Sequence, residues 1–237
     1  MTPQPLTLTP PPLTAASSLA GLIDHTLLQP CTTPADAQRL CEEALTYGFC
    51  SVCVYPALLP AVARHLAGTT VIPCTVVGFP HGANLAGTKA AEAEAAAANG
   101  AREVDMVVAL WALKSGQYTL AGADIHGVVN ATGPGCAVKV ILETCLLTDD
   151  EKILACKLAM DNGAAFVKTS TGLSSGGATV HDVELLRRTV GSAMGVKASG
   201  GIRTTRDALA MIAAGASRLG TSAGIQIVTG TTPSPPT

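Results

Sequence analysis

Between residues 22 and 222 the chain repeats one unit eight times: a short apolar, β-branched run, a polar or glycine turn, then a longer segment of helical spacing. The runs are LIDHT (22–26), SVCVY (51–55), IPCTVVGF (72–79), EVDMVVA (103–109), VKVILET (138–144), FVKTS (166–170), VKAS (196–199) and RLGTS (218–222). Runs of four to eight residues bounded by turn signals have the length of buried strands. The segments between them carry helix terminators. Thr33 precedes PADAQRLCEEALTYG, with Pro34 in the first turn and Gly48 at the end. Thr148 precedes DDEKILACKLAMDNG, with acids in the first turn and Gly163 at the end. A hydroxyl at the N-cap satisfies an orphan backbone N–H, acids suit the positive end of the helix dipole, and glycine accepts the backbone that ends a helix. GTKAAEAEAAAANG and TTRDALAMIAAG follow the same plan and stop at Gly100 and Gly215. Strands alternating with helices pair in parallel through right-handed crossovers. Eight such units predict an α/β chain folded as a (β/α)8 TIM barrel in a single domain. An open doubly wound sheet is the weaker alternative, because no G-x-G-x-x-G follows the first run.

The barrel is expected over residues 15–228, between a disordered Pro/Thr-rich extension (1–14) and a disordered tail (229–237). Aromatic residues make up 3% of the chain and hydrophobic residues 48%, so the core must be built from Ala, Val, Leu and Ile. With a net charge of −2 and no basic run, no nucleic-acid partner is expected. No apolar run reaches the length of about 18 residues that a membrane helix needs, and no membrane association is expected. The first residues lack a basic-then-apolar leader, and the eight cysteines fall mostly inside apolar runs. Both point to a cytoplasmic protein with reduced thiols. Cys50 and Cys53 have CxxC spacing, but positions three apart on a strand face opposite ways. No second Cys or His pair completes a zinc site, so neither a metal nor a redox cofactor is expected.

Strand side chains alternate in direction, and that parity sorts the charges. Asp24 shares a face with Thr26, Asp105 with Val107 and Ala109, Lys139 with Ile141 and Glu143, Lys168 with Phe166 and Ser170, and Lys197 with Ser199. In the later four runs the opposite face is mostly aliphatic and suits packing under helices. The polar faces then point into the barrel. Three acids (Asp24, Asp105, Glu143) and three lysines (Lys139, Lys168, Lys197) are expected to converge there. A purely structural ion-pair network is the plain reading, yet apolar packing is usually at least as stable as buried ion pairs. Charges kept inside a barrel therefore point to chemistry. Desolvation and a neighbouring cation both favour a neutral lysine, so one lysine could activate another to attack a carbonyl. A nearby carboxylate would move protons. Residue type and parity alone do not say which lysine is the nucleophile.

The last three runs end in glycine-rich loops: STGLSSGG (170–177), SGGIR (199–203) and GTSAG (220–224). Glycines let backbone N–H groups approach an anion, and loops after the late strands of barrels often hold phosphate. Gly172, Gly200, Gly201, Gly220 and Ser222 are the candidate phosphate ligands. Taken one at a time, such glycines read as tight turns; three such loops on consecutive strands favour the cradle.

IDHTLLQP, EVDMVV, VILETCLLTDDEK, FVKTSTG, VKASGGIR and RLGTSAG, in this order, resemble the motifs of the deoxyribose-phosphate aldolase family over nearly the whole stretch between the tails. The resemblance implies a class I aldolase that needs no metal or other cofactor. It implies reversible cleavage of a small phosphosugar, 2-deoxy-D-ribose 5-phosphate, to D-glyceraldehyde 3-phosphate and acetaldehyde. By motif, Lys168 would form the Schiff base, Lys197 would be the neighbouring proton donor and acceptor that depresses its pKa, and Asp105 the other proton donor and acceptor. Asp24, Thr26 and Lys139 would support substrate hydroxyls and the proton relay. The family also implies a homo-oligomer, dimer or tetramer, although no interface is legible in the residues.

The chain departs from the family pattern at Ala109 and Trp111, where many members have Asn and Gly. Leu173 stands where some carry a phosphate-binding lysine, and the tail has no terminal tyrosine. Phosphate binding would then rest more on backbone amides and Ser222. His81 could touch substrate, whereas His25, His65, His126 and His181 read as structural or surface residues. Two rival readings are a phosphate-binding isomerase or lyase that forms no imine, and a barrel kept only for binding.

Overall fold

A computed structural model describes residues 19–230. Each of the eight runs contains a strand: β1 (Ile23–Leu27), β2 (Ser51–Val54), β3 (Ile72–Val77), β4 (Glu103–Val107), β5 (Ala137–Ile141), β6 (Phe166–Lys168), β7 (Gly195–Ser199) and β8 (Arg218–Thr221). They pair in parallel in chain order, and β8 closes the sheet against β1. The doubly wound alternative is thereby excluded. The expected N-terminal extension (1–14) lies outside the described residues, as does most of the tail.

Nine helices follow among the described residues: α1 (Pro34–Tyr47), α2 (Leu59–His65), α3 (Ala86–Ala98), α4 (Leu110–Lys114), α5 (Tyr118–Thr132), α6 (Asp149–Asp161), α7 (Val180–Val190), α8 (Thr205–Ala213) and α9 (Gly224–Thr229). The predicted caps are present. Thr33 Oγ1 accepts from Asp36 N at 3.2 Å while the Asp36 carboxylate accepts from Thr33 N at 3.0 Å. Thr148 and Glu151 form the same reciprocal box on α6. Gly48 ends α1 at φ 72°, a backbone that side chains with a Cβ rarely adopt.

The main core lies between the barrel wall and the helices. Val104, Met106, Val138, Val140, Val167, Val196, Ala198 and Leu219 face outward from the strands, are buried, and join helix residues such as Ala93, Ile125, Ala155 and Leu186. Full burial of one such larger aliphatic side chain contributes roughly 1.5–3 kcal/mol. This layer fixes the strands so that alternate residues must point inward. A buried ion pair sits within it: Lys89 on α3 donates to Asp124 on α5 at 2.6 Å and to the carbonyl of Val107 at 2.9 Å. It ties two helices to the C-terminal end of β4.

Phe166 enters the barrel from the start of β6. Its neighbour across the sheet is Gly195, where an added Cβ would lie 2.1 Å from the ring. The Arg218 guanidinium rests 5.3 Å from the same ring's centre. Gly195→Ala is expected to force the ring out of place and to destabilise the fold by about 1–3 kcal/mol, measured by urea unfolding.

Candidate active site

The inward faces of six strands bring seven charged side chains together: Asp24 from β1, Glu103 and Asp105 from β4, Lys139 from β5, Lys168 from β6, Lys197 from β7 and Arg218 from β8. Asp105 lies at their centre. Its Oδ1 accepts from Lys139 Nζ at 2.9 Å, and its Oδ2 accepts from both Lys168 Nζ and Lys197 Nζ at 2.7 Å. Asp24 Oδ2 lies 2.5 Å from Lys197 Nζ as an ion pair, and Asp24 Oδ1 accepts from Arg218 at 2.7 Å. Glu103 closes the network, 2.6 Å from Lys139 Nζ and 3.0 Å from Arg218 Nη1.

Five of the six expected inward charges therefore meet, and Glu143 does not join them. The strand expected over 138–144 ends at Ile141, and beyond a strand end the two-residue alternation no longer holds. Glu143 takes a left-handed backbone at φ 54°. Its carboxylate turns to the β6 loop, where it accepts from the Thr171 hydroxyl at 2.5 Å and its amide at 3.2 Å. Glu103 and Arg218 take part unforeseen. Each stands two residues before a residue singled out in the sequence, Asp105 and Gly220, so parity carried the signal for both.

Burial opposes ionisation of Asp105, but Lys139, Lys168 and Lys197 outweigh it and hold the carboxyl well below its usual range. Burial likewise works against Asp24, and Arg218, Lys197 and Lys139 hold it down. Burial disfavours the Lys197 ammonium too, yet Asp105 and Asp24 push it above its ordinary value. Lys139 is raised in the same way by Asp105, against its own desolvation. The protonated form is thus favoured at both Lys139 and Lys197.

Above the network opens a cavity of about 270 Å³, lined by Lys168, Thr26, Ser199 and the three glycine-rich loops. Lys168 is the one member of the seven that reaches its wall. Thr26 lines the same wall, and its hydroxyl donates to the Asp24 carbonyl at 2.9 Å. Asp24 and Lys139 lie beneath. Gly172, Gly200, Gly201, Gly220 and Ser222 all face the cavity. Gly172, Gly200 and Gly201 have φ of 84°, 86° and 82°. At Gly220 a Cβ would lie 2.8 Å from Lys197 Cε. Arg203 also lines the wall, a cation inside SGGIR that sequence reasoning left out of the site. Leu173 lies exposed at the rim.

Ala109 and Trp111 do not line this cavity. His81 borders a second hollow of about 110 Å³ with Glu143 and Leu110, which shares Thr171 and Leu173 with the first. His25 points the other way, to Glu43 at 2.7 Å. Cys53 and Cys74 approach Asp105, with ligand atoms within 4.8 Å of one another. Three lysine Nζ atoms already surround that carboxylate, and the ammonium groups of Lys139 and Lys197 would repel a further cation.

The ion network sets a pH window for stability. Asp24 and Asp105 ionise more readily folded than at their ordinary value of 3.8, so the unfolded chain takes up protons first as pH falls below about 4. Lys139 and Lys197 contribute below their ordinary 10.5, and that contribution is lost as pH rises through their higher folded values. Urea unfolding midpoints are expected to fall on the acid side, and Asp24→Asn should flatten that acid slope.

Residues 19–230 match the family model for DeoC/LacD family aldolases. The deoxyribose-phosphate aldolase of Bacillus subtilis (strain 168) is 56% identical over 213 residues, covering 90% of this chain and 96% of that protein. The deoxyribose-phosphate aldolase of Enterococcus faecalis is 54% identical over 214 residues, covering 90% and 97%. The solved structure of deoxyribose phosphate aldolase from Aeropyrum pernix, described as a unique tetramer, superposes with a TM-score of 0.85 at 35% identity, covering 92% of each chain. The match runs through every strand that carries a charged side chain into the barrel, and the chain belongs to the DeoC/LacD family of aldolases.

Proposed function

We propose that the protein is a deoxyribose-phosphate aldolase. It reversibly cleaves 2-deoxy-D-ribose 5-phosphate to D-glyceraldehyde 3-phosphate and acetaldehyde through a Schiff base on Lys168. One observation carries the choice of nucleophile: among the seven clustered charges, Lys168 alone meets the cavity. Its Nζ shares Asp105 Oδ2 with the Lys197 ammonium.

The neutral Lys168 amine adds to the aldehyde carbon, and loss of water leaves an iminium. The 3-hydroxyl gives up its proton, its oxygen becomes the carbonyl of glyceraldehyde 3-phosphate, and the pair of the C2–C3 bond flows into the iminium to form an enamine. Protonation of C2 and addition of water then release acetaldehyde and restore the amine. Asp105 and Lys197 are the groups placed to donate and accept these protons. Lys139, Asp24 and Thr26 hold them and the substrate in register. Gly172, Gly200, Gly201, Gly220 and Ser222 cradle the phosphate with Arg203 as the cationic partner.

The degradation of deoxyribose units in the cytoplasm is the setting this reaction suits. The tetrameric Aeropyrum relative supports a homo-oligomer, dimer or tetramer. The reading takes the barrel as the unit spanning 15–228, with no cofactor required.

Incubation with deoxyribose 5-phosphate and borohydride is expected to give a reduced adduct on Lys168, mapped by mass spectrometry. Lys168→Ala should lose the adduct and lower turnover by on the order of 10³-fold or more. Turnover with no trapped lysine would favour the isomerase or lyase reading, and neither turnover nor adduct would favour a binding protein. Arg203→Gln is expected to raise KM by about tenfold or more with kcat little changed, because it removes a charge-assisted contact present before and during reaction.

A further inference from the structure

The signs of the seven inward groups can be counted. Asp24, Glu103 and Asp105 supply three negative charges; Lys139, Lys197 and Arg218 supply three positive ones. With Lys168 as a neutral amine the set sums to zero. With Lys168 protonated it carries one surplus positive charge. A dry interior tolerates balanced ions far better than a net charge. We propose that Arg218 is a positioning residue for the Schiff-base reaction: as the third cation it completes the neutralisation of the buried acids and leaves Lys168 free to work as an amine.

The geometry places Arg218 away from substrate. It begins β8, does not line the cavity, and lies over Phe166 with its Nη1 between Asp24 and Glu103. It therefore acts through those carboxylates. Both buried lysines are already counted: Lys139 pairs with Glu103, Asp105 and, at 3.6 Å, Asp24, and Lys197 pairs with Asp24 and Asp105, so without Arg218 only two cations face three acids. A neutral Lys168 still has an N–H for its 2.7 Å contact with Asp105. The remaining titratable groups around the network leave the count unchanged. From β2 and β3 come the thiols of Cys53 and Cys74, and Cys50 near Arg218 is pushed up to about 11 by burial. Above, Arg203 on the cavity wall and Glu143 behind Thr171 carry opposite signs.

The inference rests on Lys168 as the imine-forming residue, and one experiment separates the two. The full-length protein is incubated with acetaldehyde and cyanoborohydride from about pH 5 to 9, and the rate of N-ethylation at Lys168 is followed by mass spectrometry. Amine and aldehyde condense with loss of water, and hydride from the reagent reduces the iminium to a secondary amine. Arg218→Met is expected to move the pH midpoint of trapping upward by about one unit, a roughly tenfold loss near neutrality that is recovered at alkaline pH. Arg218→Lys should keep the original midpoint. Glu103→Gln should move it downward, and Glu103→Gln combined with Arg218→Met should bring it back. A folded Arg218→Met protein that slows equally at every pH would overturn the proposal. So would an unmoved midpoint in Glu103→Gln, which serves if Arg218→Met does not fold. No adduct in the unaltered protein would instead defeat the Schiff-base reading itself.

Discussion

Three lysine side chains gathered on one buried carboxylate, Asp105, form the interaction on which the site depends. In water such a cluster would dissolve into hydration shells. In the barrel the sheet and its outer layer of valine, leucine and alanine exclude water, so the charges must answer one another. Removing one partner there leaves an uncompensated buried charge, which costs far more than the pair contributes. The core between sheet and helices is thus the condition for the electrostatics within.

The division between the proposed nucleophile and the lysines beneath it follows the place of each on its strand. Lys168 is the last residue of β6, so its side chain stands where the barrel opens. Lys139 and Lys197 each sit at the third position of a five-residue strand, with further inward residues above them. Identical side chains thereby take different places: two lie beneath, and one meets the cavity.

Much of this was legible in the residues, because the constraints involved are local. The strand-and-helix alternation, the Thr33 and Thr148 caps and the inward parity of Lys168 need only neighbours in the chain. Glu143 was misplaced because VKVILET reads as one uninterrupted run, whereas the backbone turns left-handed at its sixth residue. Glu103 and Arg218 went unseen for a different reason. Parity marks both as inward, but which groups they meet is set by register between strands, such as Cys74 against Glu103 and Lys197 against Arg218, and register is not written in any single segment. Arg203 lies inside SGGIR, but only the closed barrel shows that this loop faces the same opening as Lys168.

Gly220 has a bearing on how such a site can diverge. The same residue faces the cavity and leaves room for the Lys197 side chain crossing beneath it. In the proposed mechanism anion recognition and proton chemistry are therefore not separable modules on β8. A side chain introduced there to favour a different substrate tail would press on Lys197. The loops after β6 and β7 are freer to vary, so new substrate preferences in such a scaffold would be drawn first from Leu173 and its neighbours at the rim.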